Sequence, residues 1–260
     1  SAGLRAWVVC LGCGLALFTV MGLGVNAFTV YQPYLLRVHG FTNAQGSWIT
    51  TVRSLFALLS MLTVDRLCRR LGLRNTMVLG MACFVGSYLL FGFARGFSAY
   101  CGGAVLSGLA YGYGGMIPLT LVISRWFPTG RGFALGMAAA GSGISTIFAP
   151  PLITGAIQSL GLSAAFLWEA AAGVLLTLLV FLLVRDFPSS PKLQSSEGPA
   201  PGGRGAGLSR PLLGMVLLSA FLTGGPCGPG FSHLTVLYTS AGFSSGTAAL
   251  LMSYLGLVLI

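Results

Sequence analysis

The chain has 260 residues, 55% of them hydrophobic and only 7% charged, with a net charge of +10. With a mean hydropathy of +0.88, this composition excludes an ordinary water-soluble domain, in which about a quarter of the residues are charged. The basic residues stand in short gaps between apolar runs, without an interleaved aromatic-basic surface, so they point to a lipid bilayer as partner and away from nucleic acid.

A membrane-crossing helix takes about 20 mostly apolar residues. The hydropathy pattern predicts eight such spans, near 7–34, 46–63, 75–94, 97–123, 132–155, 163–184, 212–238 and 245–260. The chain opens on Ser and stops inside an apolar run, so part of the protein is expected to be missing. Arg5 ahead of the first run has the look of a secretory signal, but the run outlasts a signal core and lacks a cleavage site, so it is read as a helix that stays. Its second half carries Asn26, Tyr31 and Gln32.

Arg53 falls near the centre of the second span, where a charge costs about 2.5–3.5 kcal/mol on insertion scales. Two readings stay open: a planar fork for an anionic substrate, or a contact with interhelical carbonyls or a tyrosine. Asp65, Arg66, Arg69 and Arg70 follow at the end of that span. An acid there can accept N–H bonds from a neighbouring helix start while the arginines hold carbonyls and acidic partners, which makes the group a gate latch. The alternative is plain retention of basic residues on one side of the membrane.

The fourth span holds Gly102, Gly103, Gly108, Gly112, Gly114 and Gly115, and the fifth holds Gly132, Gly136, Gly141 and Gly143; small residues let helices approach closely in lipid. Tyr111 and Tyr113 lie 200° apart in helical phase, so at most one faces a given cavity well. Glu169, near the start of the sixth span, is the only acid inside a predicted span. Its two readings are snorkelling to the interface and carrying protons.

Residues 185–210 are rich in Pro, Gly and Ser, a flexible-linker composition. They divide a six-span bundle, residues 1–184, from the start of a second bundle, residues 211–260. In the seventh span, Gly224-Gly-Pro-Cys-Gly-Pro-Gly230 predicts a break beside a cavity, with His233 and Tyr238 beyond it. Gly242-Phe243-Ser244 echoes Gly40-Phe41-Thr42, each just before an even-numbered span, which suggests a parallel repeat.

With the start of the chain inside, eleven basic residues (Arg5, Arg66, Arg69, Arg70, Arg74, Arg125, Arg131, Arg185, Lys192, Arg204, Arg210) face the cytoplasm and two, Arg37 and Arg95, face outward. Other apparent motifs carry no chemistry. Cys10-x-x-Cys13 sits in an apolar helix, Gly242-Phe-Ser-Ser-Gly246 has no preceding strand, and Gly112-Tyr-Gly114 lies in a helix. No metal, cofactor or nucleotide signature is present.

Two loops carry a family resemblance. Asp65-Arg-Leu-Cys-Arg-Arg-Leu-Gly72 resembles the signature between the second and third helices of the major facilitator superfamily, with Met61 and Cys68 where that pattern has glycine, which predicts a less sharp turn. Arg125-Trp-Phe-Pro-x-x-Arg131-Gly132-x-Ala134-x-Gly136-x-x-Ala139-Ala140-Gly141-x-Gly143, followed by Pro150 and Pro151, looks like the oxalate/formate antiporter and monocarboxylate-porter branch. Met116 and Ser142 replace aromatic cavity residues associated with the oxalate exchanger.

The resemblance implies an all-α integral membrane protein of the major facilitator fold, with a six-helix bundle plus the first two helices of a second. It places the first, fourth and seventh helices around the substrate path. Asn26, Tyr31, Gln32, Tyr111, Tyr113 and His233 thereby join Arg53 as candidate ligands, and Asp65, Arg66, Arg69 and Arg70 are candidate gating residues. The expected function is gradient-driven transport of a small organic anion, a mono- or dicarboxylate, with protons or a counter-anion as coupling partner, in a plasma (inner) membrane. The alternatives are export of amphipathic compounds and a transport-dead sensor of the same fold.

Overall fold

In the computed structural model, the described residues are 2–185, 214–215, 218–219, 222, 234 and 236–258. They are all helix or connecting turn. Six helical spans long and apolar enough to cross a membrane run over Gly3–His39, Asn43–Leu71, Leu73–Phe93, Phe97–Trp126, Arg131–Leu160 and Leu162–Leu183, matching the first six expected from hydropathy. The expected linker, the Gly224–Gly230 break and His233 lie outside the described residues.

The first span is built in three pieces: α1 (Ala2–Leu17), a π-helical stretch (Phe18–Ala27) and α2 (Phe28–His39). Runs of widened helix this long are rare and concentrate at functional sites. Here the widening goes with close packing, since a Cβ on Gly22 would collide with Ser145 and one on Gly24 would press on Phe84. Gly40, at φ 65°, ends α2, and both Gly40 and Phe41 donate their N–H groups to the Leu36 carbonyl, closing the helix with a left-handed glycine cap.

Helix α3 (Asn43–Leu71) starts on a capping box. The Gln45 N–H donates to Thr42 Oγ1 at 3.3 Å and the Thr42 N–H to Gln45 Oε1 at 2.9 Å. Gly72 alone, at φ 86°, then joins α3 to α4 (Leu73–Phe93). The turn is therefore sharp despite Met61 and Cys68, because the one position that needs a left-handed backbone is glycine. Gly161, at φ 88°, makes the same one-residue join between α7 (Arg131–Leu160) and α8 (Leu162–Leu183).

The fourth span departs from expectation. It breaks at Gly115 into α5 (Phe97–Gly114) and α6 (Met116–Trp126). Pro118 lacks the N–H that would bond the Gly114 carbonyl, and a glycine precedes α6 to take the extended backbone that results.

Within the bundle α5 packs between α3 and α4, α8 lies against α4, and α7 lies against α1 and the π-helical stretch. The glycines expected to allow close approach divide into two sets. A Cβ at Gly108 would strike the Arg53 carbonyl, one at Gly112 would strike Ser60, and one at Gly141 would strike the Gly14 carbonyl, whereas Gly102, Gly132 and Gly136 face open space. Large apolar side chains such as Leu55, Leu62, Leu175, Leu178 and Leu182 stand exposed on the outer faces, where hydrocarbon rather than water is the solvent.

The last described helix, α9 (Ser245–Val258), lies along α7 and buries Ala248, Ala249 and Met252. Its entry repeats the entry of α3. Gly242 has φ 91°, Phe243 donates to the Tyr238 carbonyl, and Ser244 Oγ accepts from the Thr247 N–H. The short echo in the sequence is thus the same turn built twice, and Ser244 is a helix cap.

Candidate functional site

Two oppositely charged side chains are buried inside the six-span bundle, Arg53 at 8% exposed and Glu169 at 1%. Neither forms an ion pair with another described residue. Arg53 projects from α3 toward the π-helical stretch, where Nη1 makes a long contact of 3.5 Å with the Gly24 carbonyl. Its guanidinium carbon lies 5.2 Å from the Phe28 ring centroid, a cation–π placement. Next to it, the Tyr88 hydroxyl donates to the Leu23 carbonyl at 3.0 Å. Arg53 and Tyr88 thus hold two successive carbonyls of the widened helix.

Glu169 does not snorkel. On α8 it points into the bundle, because Phe166, Glu169, Ala170 and Gly173 share the buried face of that helix. Tyr31 donates its hydroxyl to Glu169 Oε2 at 2.5 Å, while Oε1 has no partner. The Tyr31 ring stacks on Phe166 at 4.2 Å and meets Tyr88 edge-on at 6.3 Å. Phe28, Phe91 and Tyr100 continue this aromatic core.

The remaining candidates separate. Asn26 Nδ2 donates to Thr146 Oγ1 at 2.8 Å, tying the first span to the fifth. Gln32 is buried beside Gly46. Tyr111 is half-buried and, with Tyr88, interacts electrostatically with Arg53. Tyr113 turns instead to α3 and shares a hydrogen bond of 3.0 Å with Thr63. The structure therefore joins Tyr31 to the acid and associates Tyr111 with Arg53, while Asn26 and Tyr113 are engaged elsewhere.

Asp65 pairs with Arg69 one turn on in its own helix rather than with the start of a neighbouring helix, and both are about half exposed. Arg66 and Arg70 are exposed. Arg74, in contrast, closes the bundle end. Its Nε donates to the Phe181 carbonyl at 3.1 Å and its guanidinium lies over the Phe181 ring at 3.9 Å.

A cavity of about 250 Å³ opens away from these residues, between Tyr34, Arg37 and Asn43 at the first turn and Val236, Thr239 and Ser240 before α9. Tyr88 and Phe166 were not singled out by sequence reasoning. The signal that could have found them is the Phe84, Tyr88, Phe91 spacing on α4, an aromatic stripe on one helical face.

Apolar spans long enough to cross a bilayer, enclosing a few buried charged groups, define a multi-pass integral membrane protein. Residues 13–260 match the Major Facilitator Superfamily, and the chain belongs to that family. It is 28% identical over 171 residues to the aspyridones efflux protein apdF of Emericella nidulans, covering 65% of this chain and 34% of that protein. It is 29% identical over 175 residues to the uncharacterized MFS-type transporter YcxA of Bacillus subtilis, covering 64% and 42%. The matches thus span less than half the length of these relatives. In fold it is similar to a D-xylose-proton symporter, with a TM-score of 0.66, 12% identity, and coverage of 97% of this chain and 65% of that one.

Proposed function

We propose that the protein moves a small organic anion, a mono- or dicarboxylate, across the membrane by alternating access, as an exchanger or an ion-coupled porter. The observation that carries this reading is Arg53. A guanidinium buried in an apolar bundle is costly unless a partner neutralises it, yet among the described residues Arg53 has only a 3.5 Å carbonyl contact and an aromatic face. Its donor fork is left to offer to a carboxylate, for which its planar geometry is suited. Tyr111, which interacts electrostatically with Arg53, joins Gln32, Asn26, Tyr31, Tyr113 and His233 in the set of proposed ligands. Asp65 with Arg66, Arg69 and Arg70 would form the gate at the end of α3, with the chain start and the 185–210 linker in the cytoplasm and the second bundle starting at 211.

The test is uptake of radiolabelled lactate, pyruvate, oxalate and succinate into proteoliposomes holding the intact transporter. Uptake of at least one by the wild type, lost in R53Q, is expected. Full uptake by R53Q would overturn the assignment of Arg53, and no uptake of any by the wild type would overturn the anion reading. A second reading, outward export of an amphipathic compound, is favoured by the relative named as an efflux protein; dye efflux without carboxylate flux would establish it.

A further inference from the structure

We propose that Glu169 is a proton-carrying group of the transport cycle, linked to Arg53 through Tyr31, Tyr88 and the π-helical stretch of the first span. The inference rests on the anion-transport reading and names the ion coupled to it.

Three features of geometry carry it. Glu169 is the one acidic side chain buried among the described residues. It has no basic partner there; Tyr31 donates to Oε2 and the Tyr88 hydroxyl also interacts with the carboxyl, but Oε1 itself accepts no hydrogen bond. An unmet carboxylate oxygen in the interior departs from the rule that buried polar atoms are almost always satisfied. Oε1 is the open position, and a proton placed on it changes the charge of the bundle interior by one unit with no neighbouring ion to offset the change.

The groups that face this carboxyl are few. The first span brings Tyr31 and the third brings Tyr88. The second brings Arg53 behind Tyr88. The fifth span brings no titratable side chain to this level, Arg131 being at its exposed start. Arg5 and Arg74 stand at the opposite end of the bundle from Glu169, because they begin odd-numbered spans and Glu169 lies early in an even-numbered one. Toward its own end, α2 carries Tyr34, Arg37 and His39, and His39 is engaged with the Tyr100 hydroxyl at 2.9 Å. The thiols Cys10, Cys13 and Cys83 complete the inventory on α1 and α4.

The coupling route is short. Tyr31 belongs to the helix that leaves the widened stretch directly, and its hydroxyl answers to the charge on Glu169. Tyr88 and Arg53 grip the Leu23 and Gly24 carbonyls within that stretch. When a hydronium ion reaches Glu169, one of its O–H bonds breaks, an O–H bond forms on Oε1, and water is left. Release on the other side of the membrane reverses the step. The change in demand on Tyr31 shifts the widened helix, which decides whether Arg53 is held by the Gly24 carbonyl or turned to the substrate carboxylate. Substrate and proton then favour the same arrangement, as coupled ligands must.

The experiment has one arm that needs no substrate. Infrared difference spectra of the purified intact protein, acid against neutral, are expected to show a protonated-carboxyl band that E169Q lacks; a band unchanged in E169Q overturns the proposal whether or not a carboxylate is carried. In proteoliposomes with an entrapped pH dye, and with whichever of lactate, pyruvate, oxalate or succinate the wild type takes up, E169Q is expected to lose substrate-linked acidification. Accumulation driven by a pH gradient should fall about tenfold, within ordinary coupling strengths, with counterflow exchange retained. Acidification at the wild-type ratio in E169Q overturns the proposal. Should E169Q misfold, Y31F keeps the ring stack on Phe166 and removes only the hydroxyl. A displaced pH profile of uptake in Y31F supports the proposal and an unchanged profile overturns it.

Discussion

Arg53 and Glu169 sit in one bundle with no charged partner among the described residues, so substitutions at the two positions are expected to produce different defects. Arg53→Lys keeps a charge but loses the planar fork and the face-on contact with Phe28. Uptake measured as kcat/KM is expected to fall by roughly tenfold or more, the scale of one lost charge-assisted hydrogen bond. Tyr88→Phe, which removes the bond to the Leu23 carbonyl but not the ring packing, is expected to lower thermal stability in detergent by about 1 kcal/mol. Arg53 was legible in the sequence because a charge in the middle of an apolar run stands out. The position of Glu169 was legible but its surroundings were not: distance to the span end leaves snorkelling and proton carriage both open, whereas the rotation of α8 that turns the side chain inward depends on Phe166 and Gly173 packing against α4.

At the scale of elements, the hydrophobic pattern located the first six spans because the bilayer imposes length and polarity together. It did not disclose the π-helical stretch or the break at Gly115, since apolarity is blind to hydrogen-bond register. The Gly114-Gly115 pair ahead of Pro118 held the local signal for the break. Close packing between α3 and α5 yields a sharp prediction. Gly112→Val would drive a side chain into Ser60 and is expected to cost about 1–3 kcal/mol, seen as a lower melting temperature in detergent. Gly132→Ala, facing open space, is expected to leave it unchanged. At the α3 entry, Thr42→Ala removes the cap to Gln45 and is expected to cost about 1 kcal/mol.

For the whole molecule, the asymmetry of basic loops predicts sidedness. Ser98→Cys, at the start of the fourth span, should react with a membrane-impermeant maleimide on intact cells, and Thr129→Cys, between the fourth and fifth, only after permeabilisation; Cys10, Cys13 and Cys68 are buried, and the partly exposed Cys83 and Cys101 are first replaced by Ser to remove background. Equal labelling of both sites would refute the orientation. The superfamily was legible from the loop motif at 65–72 because it combines charge with a turn glycine at fixed spacing. Substrate class was less so, since it depends on how a handful of polar side chains are turned.

The one-residue joins at Gly72 and Gly161 have a mechanical consequence. A splice that short gives the second and third spans, and likewise the fifth and sixth, no slack to slide past one another at the joined end. Bending is thereby left to the struts that are already interrupted, the first at its looser coil and the fourth at Gly115.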